Sequence, residues 1–172
     1  FAVEQNIESN TKKHDRPKLR IVSVGRLVPF KSYNVYAPII IRKLRDAGVD
    51  ATWDIWGYGP DEAVIASKAK EYEVNDFVKL RGKLPHELFD KTVSSYDLFV
   101  GMGTAVLEAA KTGTPVCVAV ENQRDACYGH LHEAPIDSLG DRVVGFHEQK
   151  LYEALSAFAA KSSQEQSTIG EK

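Results

Sequence analysis

This sequence predicts a doubly wound, Rossmann-like α/β fold: a parallel sheet of about six strands with helices on both faces. Three observations carry that expectation. Short runs of branched apolar residues recur along the chain, each is followed by a segment whose apolar residues are spaced as on a helix, and glycines stand at many of the junctions. Such alternation implies right-handed crossovers between parallel strands, with ligands held beyond the carboxyl ends of the strands where the strand order reverses.

The first run, residues 19–24, stops at Gly25 and reads as a strand buried on both faces. Tyr36, Ile40, Leu44 and Ala47 follow at helical spacing as far as Gly48, a residue suited to the left-handed turn that ends helices. Residues 52–56 make a second strand ending at Gly57, and Pro60 opens a helix with Val64, Ile65, Ala69 and Tyr72 on one side. A third strand at 77–80 leads to a short helix opened by Pro85 and carrying Leu88 and Phe89. The fourth strand is 98–100, followed by a helix at 104–111 that ends at Gly113, and 116–120 is a strongly apolar fifth strand. Residues 142–146 read as the sixth, before an amphipathic helix with Leu151, Leu155 and Phe158. Residues 1–17, polar and ending at Pro17, read as a linker and 161–172 as a loose tail, which leaves one domain over 18–160.

A length of 172 residues fits one such domain, and 43% hydrophobic with 27% charged residues is enough for a packed core. The net charge of −2 gives no overall positive field to draw nucleic acid or acidic lipid, so any anion site must be local. Cys117 and Cys127 match no zinc spacing and are too few for a disulfide framework, pointing to a reducing cytosol. No apolar run approaches the roughly 20 residues that span a bilayer. The first residue is Phe1 rather than Met, and the chain is expected to be a piece of something larger.

Chemistry is sought in the loops after the strands. Gly25 to Lys31 carries Arg26 and Lys31, a planar fork and a point charge on a loop entering a helix, which could grip two phosphates. The alternative is a solvated loop with Arg26 paired to a carboxylate. Gly101, Met102, Gly103 and Thr104 precede a helix whose first N–H groups attract anions, and Glu108, one turn on, could accept hydrogen bonds from sugar hydroxyls. The same glycines could instead serve tight strand-to-helix packing, with Glu108 solvated. Gly101 and Gly103 with Glu121 at the next strand end also admit an NAD(P)- or FAD-binding site. The loop Arg81-Gly82-Lys83-Leu84 offers cations and backbone groups, or is a polar turn. His130, His132 and Glu133 raise a metal site, but no partner cluster is evident, no Asp-x-Asp occurs, and no metal is expected.

Taken in order, LRIVSVGRLVPFK over residues 19–31, WGYGP over 56–60, LRGKL over 80–84 and VLEAAKTGTPV over 106–116 resemble the C-terminal, donor-binding domain of GT-B glycosyltransferases. The likeness is to the large retaining group 1, or family 4, enzymes that include many of bacterial polysaccharide and lipopolysaccharide biosynthesis. The resemblance implies that Arg26 and Lys31, beside Gly25, bind the donor pyrophosphate and act as the catalytic pair. They would stabilise the departing nucleoside diphosphate without a metal. It further implies that Gly82, Lys83 and Leu84 hold the base, that Gly101, Met102, Gly103 and Thr104 offer N–H groups to phosphate or sugar, and that Glu108 binds the ribose.

A nucleotide sugar would then be the donor, with no separate cofactor. The acceptor, a saccharide or a lipid-linked molecule, would be held by a missing N-terminal domain without which this piece is inactive. Through that domain the protein would work in the cytoplasm, peripheral to the inner face of the membrane. One departure stands out: the resemblance implies two glutamates separated by seven residues, the first contacting the transferred sugar, and counting back from Glu108 puts that first one at Val100. A non-catalytic nucleotide-binding module of the same fold is therefore the second expectation.

Overall fold

Residues 17–172 are described by the computed structural model; the expected linker lies outside the described residues except for Pro17. Six strands form one sheet: β1 (Lys18–Val24), β2 (Asp50–Trp56), β3 (Val78–Gly82), β4 (Leu98–Gly101), β5 (Val116–Ala119) and β6 (Cys127–His130). Their order is β3-β2-β1-β4-β5-β6, and the first five are parallel. Because β1 pairs with both β2 and β4, the strand order reverses between β1 and β4. This is the doubly wound arrangement, and its crevice lies at the ends of β1 and β4.

The helices are α1 (Tyr33–Asp46), α2 (Glu62–Glu71), α3 (Phe89–Val93), α4 (Thr104–Lys111), α5 (Leu151–Ala159) and α6 (Ser163–Gly170). They cover both faces of the sheet. On one, Ile40, Leu44, Ile65 and Phe158 pack with Leu19, Ile21 and Val100; on the other, Phe89, Val93, Val106 and Ala109 pack with Val22, Phe99 and Val118. Neighbouring strand residues thus enter opposite cores, which is why β1, β4 and β5 read as apolar runs without alternation. One polar chain crosses this interior: the Trp53 indole N–H donates to Ser23 Oγ at 2.9 Å, and that hydroxyl donates to the Val100 carbonyl at 2.6 Å. It ties β2, β1 and β4 together just below the crevice.

Three expectations are corrected. The sixth strand is not 142–146 but Cys127–His130, and it runs antiparallel to β5. The connection over residues 120–126 is too short for a crossover helix, so the chain turns straight back. Residues 142–146 form no strand; Val144 is 97% exposed, while Phe146 rests edge-on against Tyr128 with ring centroids 5.4 Å apart. The tail expected to be loose carries α6, whose first turn is capped by Ser162: its hydroxyl accepts the Glu165 N–H at 3.3 Å and donates to the Glu165 carboxylate at 3.0 Å. Val64, grouped by spacing with Ile65, Ala69 and Tyr72 on one side of α2, is instead exposed, unlike the buried Ile65 and Ala69.

His130 gives the fold a pH dependence. Its ring is packed against Phe158, its Nδ1–H donates to the Val116 carbonyl at 3.0 Å, and burial lowers its pKa below 6.5. Glu133, which favours the charged form, and His132 and Lys161, which oppose it, face the same ring. A histidine that is harder to protonate when folded supports the fold fully above the unfolded value near 6.5, and that support is lost as pH falls through the lower folded value. Thermal unfolding between pH 7 and pH 5 should therefore show a falling midpoint, with a shallower fall in His130→Gln.

Candidate functional site

The loops that follow β1, β2 and β3 are laced to one another beyond the ends of the strands. The Gly25 N–H donates to the Trp56 carbonyl at 3.0 Å, the Leu27 N–H to Tyr58 at 3.0 Å, and the Gly57 N–H to Gly82 at 2.7 Å. The Asp61 N–H returns to the Leu27 carbonyl at 3.1 Å. This close approach demands glycine at position 57, where φ is +139° and a β-carbon would overlap the Gly25 carbonyl oxygen.

A cleft of about 210 Å³ opens where these loops meet. Gly25, Arg26, Lys83 and Leu84, all named from the sequence, line it together with Gly57 and Tyr58. Tyr58 was not named as a site residue, yet it is 61% exposed and, among the described residues, is the aromatic side chain lining the cleft on which a planar ligand could stack. The signal available was an aromatic residue between two glycines at a strand end. Gly82 contributes its carbonyl to the lacing, and Arg81 is engaged at 3.3 Å with Asp54, which leaves Lys83 as the cation on that loop.

Lys31 reaches back to the same place. Its ammonium lies over Gly25, where a β-carbon would stand 3.0 Å from it. Burial and the nearby Arg26 guanidinium lower its pKa. Neither Arg26 nor Lys31 belongs to any ion pair among the described residues; Arg26 is exposed, as the solvated-loop alternative has it, but is not paired to a carboxylate. Two neighbouring cations with no acidic partner among the described residues favour an anion beside them, because the charge of a phosphate would offset the cost of desolvation and the repulsion.

The fourth loop is differently disposed. Gly101 ends β4, and Met102 is buried. The Gly103 N–H is taken by the Leu139 carbonyl at 2.6 Å, so it is not free for a ligand. Thr104 is exposed at the start of α4, and the Val106 N–H of that first turn donates to the Gly103 carbonyl at 3.1 Å. Glu108, one turn on, is half-buried and makes no ion pair among the described residues. Val100 lies wholly inside the sheet. The contact of Leu139 with Gly103 has no counterpart in the sequence reading.

Elsewhere, His130 and His132 stack with centroids 6.0 Å apart, but among the described residues no three His, Cys, Asp or Glu side chains converge as metal ligands. Cys117 and Cys127 are both free and buried. A roomier groove of about 450 Å³, lined by α1, α2, Asn122 and Arg124, contains none of the candidate site residues named from the sequence. Among the described residues no helix is long and apolar enough to cross a membrane.

Comparison with known proteins adds the following. The family described as "Glycosyl transferases group 1" matches residues 4–124. The amylovoran biosynthesis glycosyltransferase AmsK of Erwinia amylovora is 32% identical over 110 residues, covering 57% of this chain and 27% of AmsK. The chain therefore spans about a quarter of the length of the curated relatives it first matches, each covered to 27%. Among solved structures, TarM of S. aureus, in complex with UDP among other ligands, superposes with a TM-score of 0.61 at 17% identity over 92% of this chain and 32% of TarM. HepE of Anabaena, in complex with UDP and glucose, gives 0.63 at 14% over 96% of this chain and 44% of HepE. At such identities the superpositions establish the fold.

Proposed function

The chain belongs to the group 1 glycosyl transferases, and from that premise we propose that its crevice binds the nucleoside-diphosphate part of a sugar donor. The observation that carries this reading is the Lys31 ammonium seated over Gly25, beside Arg26, with neither cation in an ion pair among the described residues, on the loop that follows β1 at the strand-order reversal. The base would enter the cleft against Tyr58, Lys83 and Leu84, the ribose hydroxyls would donate to Glu108, and the diphosphate would lie on the two cations. When the bond from the sugar to the terminal phosphate oxygen breaks, its electron pair stays with that oxygen. Arg26 and Lys31 would stabilise the growing charge there, with no metal required. Retention of configuration, the C-terminal place of this domain and a role in polysaccharide or lipopolysaccharide synthesis are part of the same proposal.

The acceptor, a saccharide or lipid-linked molecule, would be presented by another domain of the full-length protein, on the cytoplasmic side of the membrane. The coverage of only 27% of AmsK supports such a division of labour. A second reading, a nucleotide-binding module without transfer activity, is favoured by Val100, which places an apolar core residue where the resemblance expects a sugar-contacting glutamate.

Calorimetric titration of the 172-residue chain with UDP, GDP and ADP, with and without EDTA, tests the donor reading. UDP, held by both TarM and HepE, is the first to try. Binding of at least one nucleotide that EDTA leaves unchanged is the expected result. No heat with any of the three would overturn the reading, and binding that EDTA abolishes would overturn its metal independence.

A further inference from the structure

We infer that Glu121 recognises the sugar of a nucleoside-diphosphate hexose, a role that rests on the donor reading above. Residue 121 follows β5 where the cation loop, the start of α4 and the segment around Gly140 are bonded together. Its own N–H donates to the Gly140 carbonyl at 2.8 Å, and the next residue, Asn122, donates to the carbonyl of Phe30, the neighbour of Lys31, at 2.8 Å. Leu139, beside Gly140, accepts the Gly103 N–H at the entrance to α4 at 2.6 Å. Glu121 therefore stands between the cation loop and the start of α4, where a hexose attached to a diphosphate on Arg26 and Lys31 would extend.

Its carboxylate is anchored at one oxygen. Oε1 accepts the Arg142 N–H at 3.1 Å, while Oε2 takes no hydrogen bond and the residue no ion pair among the described residues. A half-buried carboxylate with one oxygen fixed and the other open is an acceptor for sugar hydroxyl donors.

The segment that anchors it is itself braced. The Tyr128 hydroxyl donates to the Asp141 carbonyl at 2.9 Å and accepts the Val143 N–H at 2.8 Å. The Ser138 hydroxyl donates to the same carbonyl at 2.8 Å and accepts the Gly140 N–H at 3.3 Å. Gly140 is pressed so closely on β4 and β5 that a β-carbon would lie 2.6 Å from the Ala119 carbonyl oxygen and overlap Met102. Such preorganisation favours selecting one sugar over another. With Val100 sealed in the core, Glu121 supplies a carboxylate from a different strand end.

The test compares wild type with Glu121→Gln, which retains an oxygen for the Arg142 N–H. Each is titrated with UDP and UDP-glucose, GDP and GDP-mannose, and ADP and ADP-glucose. Glu121→Gln should weaken the sugar nucleotide that wild type prefers about tenfold or more while changing its free nucleotide less than about twofold. An unchanged ratio of the two affinities, whether both fall or neither does, overturns the assignment to Glu121 and leaves the donor reading intact. If wild type binds none of the free nucleotides, the donor reading falls and the role of Glu121 with it. A measurement on wild type needs no variant: amide shifts should differ between the nucleotide and sugar-nucleotide complexes at Glu121 and residues 139–142, and identical shifts there would also overturn the assignment.

Discussion

Lys31→Ala is expected to weaken nucleotide binding about tenfold to a hundredfold, the range for losing one charge-assisted contact of roughly 1.5–3 kcal/mol. The unliganded fold should be no less stable, because the ammonium that disappears is partly desolvated and repelled by Arg26. Loss of affinity without loss of stability separates a ligand-binding lysine from a structural one. The pH dependence has a defined sign. Burial and Arg26 lower the free-state pKa of Lys31 below 10.5, and a bound diphosphate would raise it again. Affinity should therefore be full below the lowered value and decline as pH rises through it, with proton uptake on binding in that window. Calorimetry in two buffers of different ionisation enthalpy would detect the uptake in wild type and its disappearance in Lys31→Ala.

Gly57→Ala should do the most damage to the fold itself. A β-carbon there overlaps the Gly25 carbonyl oxygen, and the backbone sits at φ +139°, a region that L side chains rarely adopt. Steric overlap and backbone strain together predict a loss of about 2–4 kcal/mol, measurable by urea denaturation. Because Gly57 also donates to the Gly82 carbonyl at 2.7 Å, separating it from Gly25 opens the cleft. Nucleotide binding should fall with stability here, in contrast to Lys31→Ala. A stable Gly57→Ala with unchanged affinity would show that the interloop lacing does not shape the site.

How much of this was legible follows from where each signal resides. The strands β1, β4 and β5 were found because neighbouring residues enter opposite cores, which makes an apolar run. The sixth strand is hard to see because Cys127–His130 is only 4 residues long and contains Gly129, whereas Val143 and Val144 advertise a strand that the exposed segment does not form. The polar face of α6 hid a helix, although Ser162 and Glu165 have the spacing of a capping box. Arg26, Lys31 and Lys83 were legible because each follows a strand end, where doubly wound folds gather ligands. Tyr58 and the pairing of Leu139 with Gly103 were not, since one needs the lacing of three loops and the other a return of the chain over β4 that no local pattern encodes.

The central claim is that Arg26, Lys31 and the laced loops around them form a nucleoside-diphosphate site. It is tested most directly by following the backbone amides of the isotopically labelled chain by NMR as UDP, GDP and ADP are added in turn. The account predicts, for at least one nucleotide, saturable shifts at residues 25–31, Tyr58, Lys83, Leu84 and Glu108, with α6 unmoved. Silence at those residues with all three nucleotides would contradict it.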